Sequence, residues 1–241
     1  MSRMLPVARL VGYSPAWFVP FDDFARKVRT AGVSVALDRW VNGRWEPQDT
    51  PVVRTPSAAL AYPGLGRRGG VPPDQVDRYR ARFAAAGYRP LYPADDQPFT
   101  ADLVGVEFSV RPHRPDQPPT EEVEARLVRL LPSVSFAYPP GVRTVHGVVR
   151  DPVANAPVRN ALVEVRGQQH RDLVSWRERT LSDDTGAFRL ALRWEGEKAS
   201  EDAVEETFHL HATERPGRTG SLVIQLPRDA DAAHVIEIRE Q

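Results

Sequence analysis

Twenty-three prolines are spread along the chain, and they restrict its fold more than any other feature. Proline lacks a backbone N–H and fixes φ, which excludes it from helix interiors and from central strand positions. So many of them imply many short elements joined by fixed turns. The absence of cysteine rules out a disulfide framework and a thiolate metal site.

Strand patterning is clearest in the C-terminal half. From Ala187 to Trp194, Phe188, Leu190, Leu192 and Trp194 share one face, with Arg189 and Arg193 on the other. This two-residue period belongs to a half-buried strand. Phe208, Leu210 and Ala212 alternate in the same way with His209 and His211. Leu222, Ile224 and Leu226 form a further set, as do Ile236 and Ile238. Residues 142–150 and 160–166 are rich in β-branched side chains. Ser182-Asp183-Asp184-Thr185-Gly186 has the composition of a tight hairpin turn. Short strands at this density are those of a β-sandwich.

In the N-terminal half, Val33, Val35 and Leu37 alternate with Ser34, Ala36 and Asp38, and Val106, Phe108 and Val110 share a face. Asn42-Gly43 sits between Trp40-Val41 and Arg44-Trp45 as a hairpin turn would. Two segments admit two readings. In 74–86, Val76, Tyr79 and Phe83 have helical spacing, yet Tyr79, Ala81 and Phe83 also alternate with Arg78, Arg80 and Arg82. In 120–131, Val123, Leu127 and Leu130 suit a helix opened by Thr120, Glu121 and Glu122, and an extended reading of 124–131 stands beside it. Residues 111–119 hold four prolines, a stiff run that marks a boundary. The expected architecture is all-β: a sandwich-like domain over 1–111, a proline-rich connector over 112–140 with a short helix or strand, and a second sandwich over 141–241.

The strings Thr144–Asp151, Pro157–Val165 and Thr180–Leu190 resemble the carboxypeptidase regulatory-like (transthyretin-like) domain. That family has a glycine in its first strand, an alanine near the start of its second, and a hairpin in which a turn glycine precedes a core phenylalanine. Gly186 and Phe188 would take those places. The resemblance covers roughly residues 140–226 and implies a fold more than a function. The phrases Leu130–Gly141 and Tyr88–Pro93 look like those of proteins associated with contractile injection systems and phage-tail-like particles. In such particles, sandwiches of this type serve as structural accessories near a cap or terminator.

Each candidate for chemistry has a plainer structural reading. Gly64-Leu65-Gly66-Arg67-Arg68-Gly69 has the G-x-G-x-x-G spacing of dinucleotide sites, but Pro72 and Pro73 stand where a helix should start. It reads as a loop. His209 and His211 share a strand face and have a spacing that can present two imidazoles to a metal. A third ligand cannot be placed, so a solvent-facing pair is expected. His234 and Glu237 match H-x-x-E, but on a strand residues i and i+3 point to opposite faces. Some transthyretin-like proteins hydrolyse 5-hydroxyisourate and end in Tyr-Arg-Gly-Ser, whereas this chain ends Ile238-Arg239-Glu240-Gln241. Asp95-Asp96 and Asp183-Asp184 read as turn residues. Arg78, Arg80 and Arg82 with Tyr79 and Phe83 could form a basic, aromatic-edged stripe of the sort RNA uses. However, 32 basic and 32 acidic side chains cancel over the chain, leaving no long-range field for nucleic acid or an anionic membrane. Exposure of Trp17, Phe18, Trp40 or Trp45 would instead favour a protein contact, since aromatics and arginine are enriched in interface cores.

The expectation is a non-catalytic structural or assembly protein without catalytic residues, cofactor or metal. It would dock on tube, sheath or cap subunits of a larger particle and self-associate there. Nucleic acid and membrane insertion are not expected. Arg9, Gly12, Pro15 and Pro20 interrupt any apolar run before residue 21, so the expected location is the cytoplasm. The alternative is a carbohydrate- or peptide-binding sandwich. A third reading is a metal-dependent hydrolase at His209 and His211.

Overall fold

The structure, a computed structural model, describes residues 13–68, 75–94, 96–114, 119, 122–168, 175–199, 203–230 and 232–241. The described residues form strands and no helix, and the fold is all-β. In chain order the strands are β1 (Trp17–Asp22), β2 (Lys27–Val28), β3 (Val33–Val41), β4 (Arg44–Gln48), β5 (Val53–Arg54), β6 (Leu60–Ala61), β7 (Asp77–Ala85), β8 (Tyr88–Leu91), β9 (Val106–Val110) and β10 (Ala125–Pro132). They continue with β11 (Thr144–Asp151), β12 (Ala156–Pro157), β13 (Leu162–Gln168), β14 (Ser175–Leu181), β15 (Ala187–Ala191), β16 (Glu206–Arg215), β17 (Arg218–Leu226), β18 (His234–Glu237) and β19 (Arg239–Glu240).

Both ambiguous segments contain strands. In β7, Tyr79, Ala81 and Phe83 are buried while Arg78 and Arg82 are exposed, so the two-residue period prevails over the helical spacing. In β10, Val128, Leu130 and Leu131 are buried, and the strand pairs with β8 through Arg129↔Leu91 and Leu131↔Arg89. The chain divides into two compact units, each assembled from three stretches. The first holds residues up to 19, 35–82 and 107–126, and the second holds 20–34, 83–106 and 127–241. The units interleave along the sequence rather than following one another as two consecutive domains, and β10 is the strand of the two readings, helix or strand, left open within residues 112–140.

The first unit carries the sheet order β4–β3–β7 with β9 on β7, together with the run β1–β6–β5. Its core is aromatic. Phe18, fully buried, meets Tyr62 and Phe108 edge-on at 6.5 and 5.6 Å, and Tyr79 stacks on Phe108 at 5.8 Å. The β3–β4 hairpin closes on Asn42 and Gly43, whose φ angles of 48° and 84° are those of the turn expected there.

The second unit contains a sandwich. One sheet has β11 between β15 and β18, with β12 paired to the last residues of β11, and the other runs β14–β13–β16–β17–β19. Val145, Val149, Val163, Val165, Phe188, Leu190, Phe208, Leu210, Ile224 and Ile236 fill the space between them. Gly186 turns the hairpin before Phe188 at φ 77°, and a Cβ there would stand 2.5 Å from the Val149 carbonyl oxygen. Only glycine satisfies both conditions. The same unit also takes in β8, most of β10 and residues 20–34. Leu91 and Leu131 pack with Leu181 of β14 in a second apolar cluster.

Candidate functional site

Carboxylates placed on buried strands must be paired or neutralised, and this chain pairs them with arginines from distant strands. In the second unit, Asp23 follows β1 and is buried at the start of a turn. Arg179 of β14 donates to its two oxygens at 2.6 and 3.2 Å, Arg129 of β10 donates at 3.2 Å, and Arg26 lies 3.9 Å away. The side chains of Arg179 and Asp23 are only 3% and 2% exposed. Glu178, the neighbour of Arg179, accepts from Arg193 at 2.9 and 2.7 Å, and Arg26 stands 3.5 Å from it. Burial pushes the Glu178 carboxyl above the usual range, and Arg193 and Arg26 offset this only in part.

The same seam extends through neutral groups. The Tyr88 hydroxyl donates to Asp22 at 2.6 Å, and burial together with that carboxylate pushes it up to about 12. Thr180 donates to the Pro132 carbonyl at 2.7 Å, and Ser182 donates to the Val158 carbonyl at 2.7 Å. Phe136 meets Phe24, Tyr88 and Tyr138 at 5.5, 5.0 and 4.8 Å, and Arg193 lies over Phe24 at 4.3 Å. The two phrases Tyr88–Pro93 and Leu130–Gly141 therefore meet through Tyr88 and Phe136. The carboxylates are closed in by guanidinium groups and aromatic rings, so the seam fastens strands and presents no open acid or base.

The first unit uses the same residue types on an open surface. Alternation along β7 sends Arg78, Arg80 and Arg82 to the outer side of the sheet. Asp38 and Trp40 of β3 share that side, where Trp40 pairs with Trp45 and Asp38 with Pro47 across the β3–β4 ladder. Arg80 and Arg82 both donate to Asp38, at 3.1 and 2.8 Å and at 2.8 and 2.9 Å. Burial alone would raise the Asp38 carboxyl, but these two guanidinium groups outweigh it and hold the carboxyl below the usual range. Trp40 and Trp45 meet edge-on at 5.1 Å. Arg78 stands over both rings at 5.5 and 5.9 Å, and Arg80 over Trp45 at 4.6 Å. Trp40 is 37% exposed. The result is a rigid aromatic and guanidinium face that remains open to solvent.

Of the four aromatic candidates, Phe18 is core and Trp17 and Trp45 are half-buried, leaving Trp40 exposed. Residues 63–66 form a turn, Gly69 lies outside the described residues, and no described helix follows the glycine-rich motif. His209 and His211 are both exposed on β16, and His209 lies 3.6 Å from Glu197. Among the described residues, no group of three His, Cys, Asp or Glu side chains is placed to hold a metal ion. His234 is buried and Glu237 exposed, on opposite faces of β18. Asp183 is a turn residue: it accepts from Thr185 N, Thr185 Oγ1 and Ala187 N at 2.8, 2.7 and 3.0 Å. Asp95 lies outside the described residues, and Asp96 is exposed.

Sequence reasoning missed Asp23, Glu178, Arg179 and the burial of Asp38. The available signal was placement: acids in or next to apolar strands, in a chain whose cations are almost all arginine.

No protein-family model matches the chain, and no curated protein matches it. Among solved structures it is similar to a streptococcal ancillary pilin at 13% identity and a TM-score of 0.28, over 94% of this chain and 62% of the pilin's length. It is similar to a shaft pilin of Lactobacillus rhamnosus GG at 11% identity and 0.26, over 95% of this chain and 97% of the other. The major pilin subunit of Bacillus cereus gives 11% and 0.26, over 92% and 68%. At such scores the pilins carry no reading of what this chain binds.

Proposed function

We propose that this chain is a non-catalytic assembly protein that docks on other protein subunits through the outer face of β3, β4 and β7. The observation that carries the reading is the exposed Trp40, paired edge-on with half-buried Trp45 and held in place by Arg78 and Arg80. Tryptophan and arginine dominate interface hot spots because they bring large contact area and directed hydrogen bonds. The two ring planes stand 66° apart and a guanidinium covers them. That arrangement does not offer the flat stacking platform a sugar ring would need, so a protein partner is favoured over a glycan.

The resemblance of Leu130–Gly141 and Tyr88–Pro93 supports a more specific version, in which the assembly is a contractile, phage-tail-like particle built in the cytoplasm. Sedimentation of a native lysate, with the tagged chain followed by immunoblot, tests this. Recovery with megadalton particles that also contain tube or sheath subunits is expected. Recovery only as a free chain would sink the reading, and glycan arrays would then be the next measurement.

A further inference from the structure

We infer that the second unit carries a strand-addition site, in which the free edge of β17 at Ser221–Val223 takes an extended peptide segment of a partner protein. In an antiparallel pair, successive residues turn their N–H and C=O groups alternately towards the neighbouring strand and away from it. Thr207 and Gln225 lie opposite each other in the β16–β17 ladder, yet Thr207 bonds to Glu197 and Gln225 bonds to Asp229. Both therefore face away from the ladder, and by the same alternation so do Val223 and Ser221. Both of these are exposed, and their N–H and C=O groups stand on the outer edge of β17.

The edge is closed on either side of this stretch. Asp229 accepts from Gln225 N at 2.8 Å and donates its own N–H to the Gln225 carbonyl at 2.7 Å, while Arg239 of β19 pairs with Thr219. Among the described residues, no strand or bridge takes up the groups between these two closures. β18 supplies the facing wall. It passes β17 at Gly220, where a Cβ would run into the Glu237 carbonyl oxygen. Ile238 N donates to the Arg150 carbonyl at 2.9 Å, so alternate residues of β18 bond to β11 and the Val235 backbone faces away from it. A groove of about 670 Å³ lies here, with His211, Ser221, Val235 and Glu237 in its lining.

The occupant has to bring backbone donors and acceptors in a row, which an extended chain does and a helix does not. Leu222 packs at the rim of the core and is half-buried, while Val223 is on the opposite face of β17 and 53% exposed. The matching segment alternates in the same way, with apolar side chains covering Leu222 and polar ones beside Ser221. A second copy of this chain would have to lay its own β17 along the same line. Beyond Ser221–Val223 that strand would meet β19 at one end and the Asp229 turn at the other, whereas a lone segment can bend away from both.

The test uses the full chain and a fluorescein-labelled peptide of alternating valine and threonine, with binding read by anisotropy. Val223→Pro deletes an N–H that β16 does not use. It is expected to weaken peptide binding about tenfold, as for one lost hydrogen bond. A fully N-methylated form of the peptide keeps the side chains and has no backbone donors, so it is expected not to bind the unaltered chain. No binding of the unmodified peptide, equal binding of its N-methylated form, or binding that folded Val223→Pro leaves unchanged overturns the inference. Sedimentation velocity of the chain without peptide gives the remaining arm: a dimer that Val223→Pro dissociates would overturn it in favour of a second copy.

Discussion

In the second unit, buried Arg179, part-buried Arg129 and half-exposed Arg26 converge on Asp23, and in the first, Arg80 and the half-exposed Arg82 converge on Asp38. Both clusters are arginine-rich, sit beside aromatic rings and neutralise a buried aspartate, Asp38 within β3 and Asp23 in the turn after β1. They differ in what covers them. Around Asp23 the cover is protein: Arg179 is buried, and Phe24, Tyr88, Phe136 and Tyr138 pack nearby. Around Asp38 the cover stops at the guanidinium groups and an exposed Trp40. A closed cluster fixes strand positions, whereas an open one leaves recognition surface available.

The largest effect follows from removing the hub of the closed cluster. Asp23→Ala removes the carboxylate that buried Arg179 holds through two hydrogen bonds and is expected to cost about 3–5 kcal/mol, read from the urea midpoint. A cost below about 1 kcal/mol, the level of a surface ion pair, would erase the distinction between the two regions. Next comes Thr180→Val, which strands the buried Pro132 carbonyl and is expected to cost about 1–3 kcal/mol by the same measurement.

Acid should act on the regions in opposite senses. The Asp38 carboxyl is depressed, so its stabilisation is present in full above the unfolded value near 3.8 and is lost as pH falls through the lower folded value. The Glu178 carboxyl is raised by burial, so the folded state takes up its proton first. Stability there rises as pH falls from the raised folded value towards 4.5. Urea midpoints of Asp38→Asn and Glu178→Gln against wild type, measured across this range, give both slopes. The wild-type advantage over Asp38→Asn should shrink at the acid end, while its standing against Glu178→Gln improves on acidification. Slopes of the same sign would mean that burial acts alike on the two carboxyls. The smallest stability effect is expected for Arg78→Ala, whose exposed pair with Glu107 is worth about 0–1 kcal/mol; a loss above 2 kcal/mol would make the open face structural as well.

What could be read from the sequence follows the same division. The Asn42-Gly43 and Asp183–Gly186 turns were legible because their residue types have few other conformational uses, and both glycines take positive φ. The sandwich strands were legible because each has one dry face. β14 was not, since Trp176, Glu178, Arg179, Thr180 and Leu181 are all buried and no alternation remains to read. A strand covered on both sides loses the two-residue signal, and its partners on β10 and in the turn after β1 lie far away in sequence. Asp38 was placed on the correct face by alternation, but its burial depends on Arg80 and Arg82, which the pattern of β3 alone cannot show. The helical spacing of 120–131 competed with an extended reading that β10 adopts by pairing with β8.

Trp40 and Trp194 provide the most direct test, because they are nearly equally exposed, at 37% and 38%, one in each unit. Hydroxyl-radical footprinting with mass spectrometry would compare the oxidation of both in the free chain and in the assembled particle. Assembly is expected to protect Trp40 several-fold while Trp194 stays reactive. Equal oxidation of Trp40 in both states would contradict it, since the open face would then have no partner upon it.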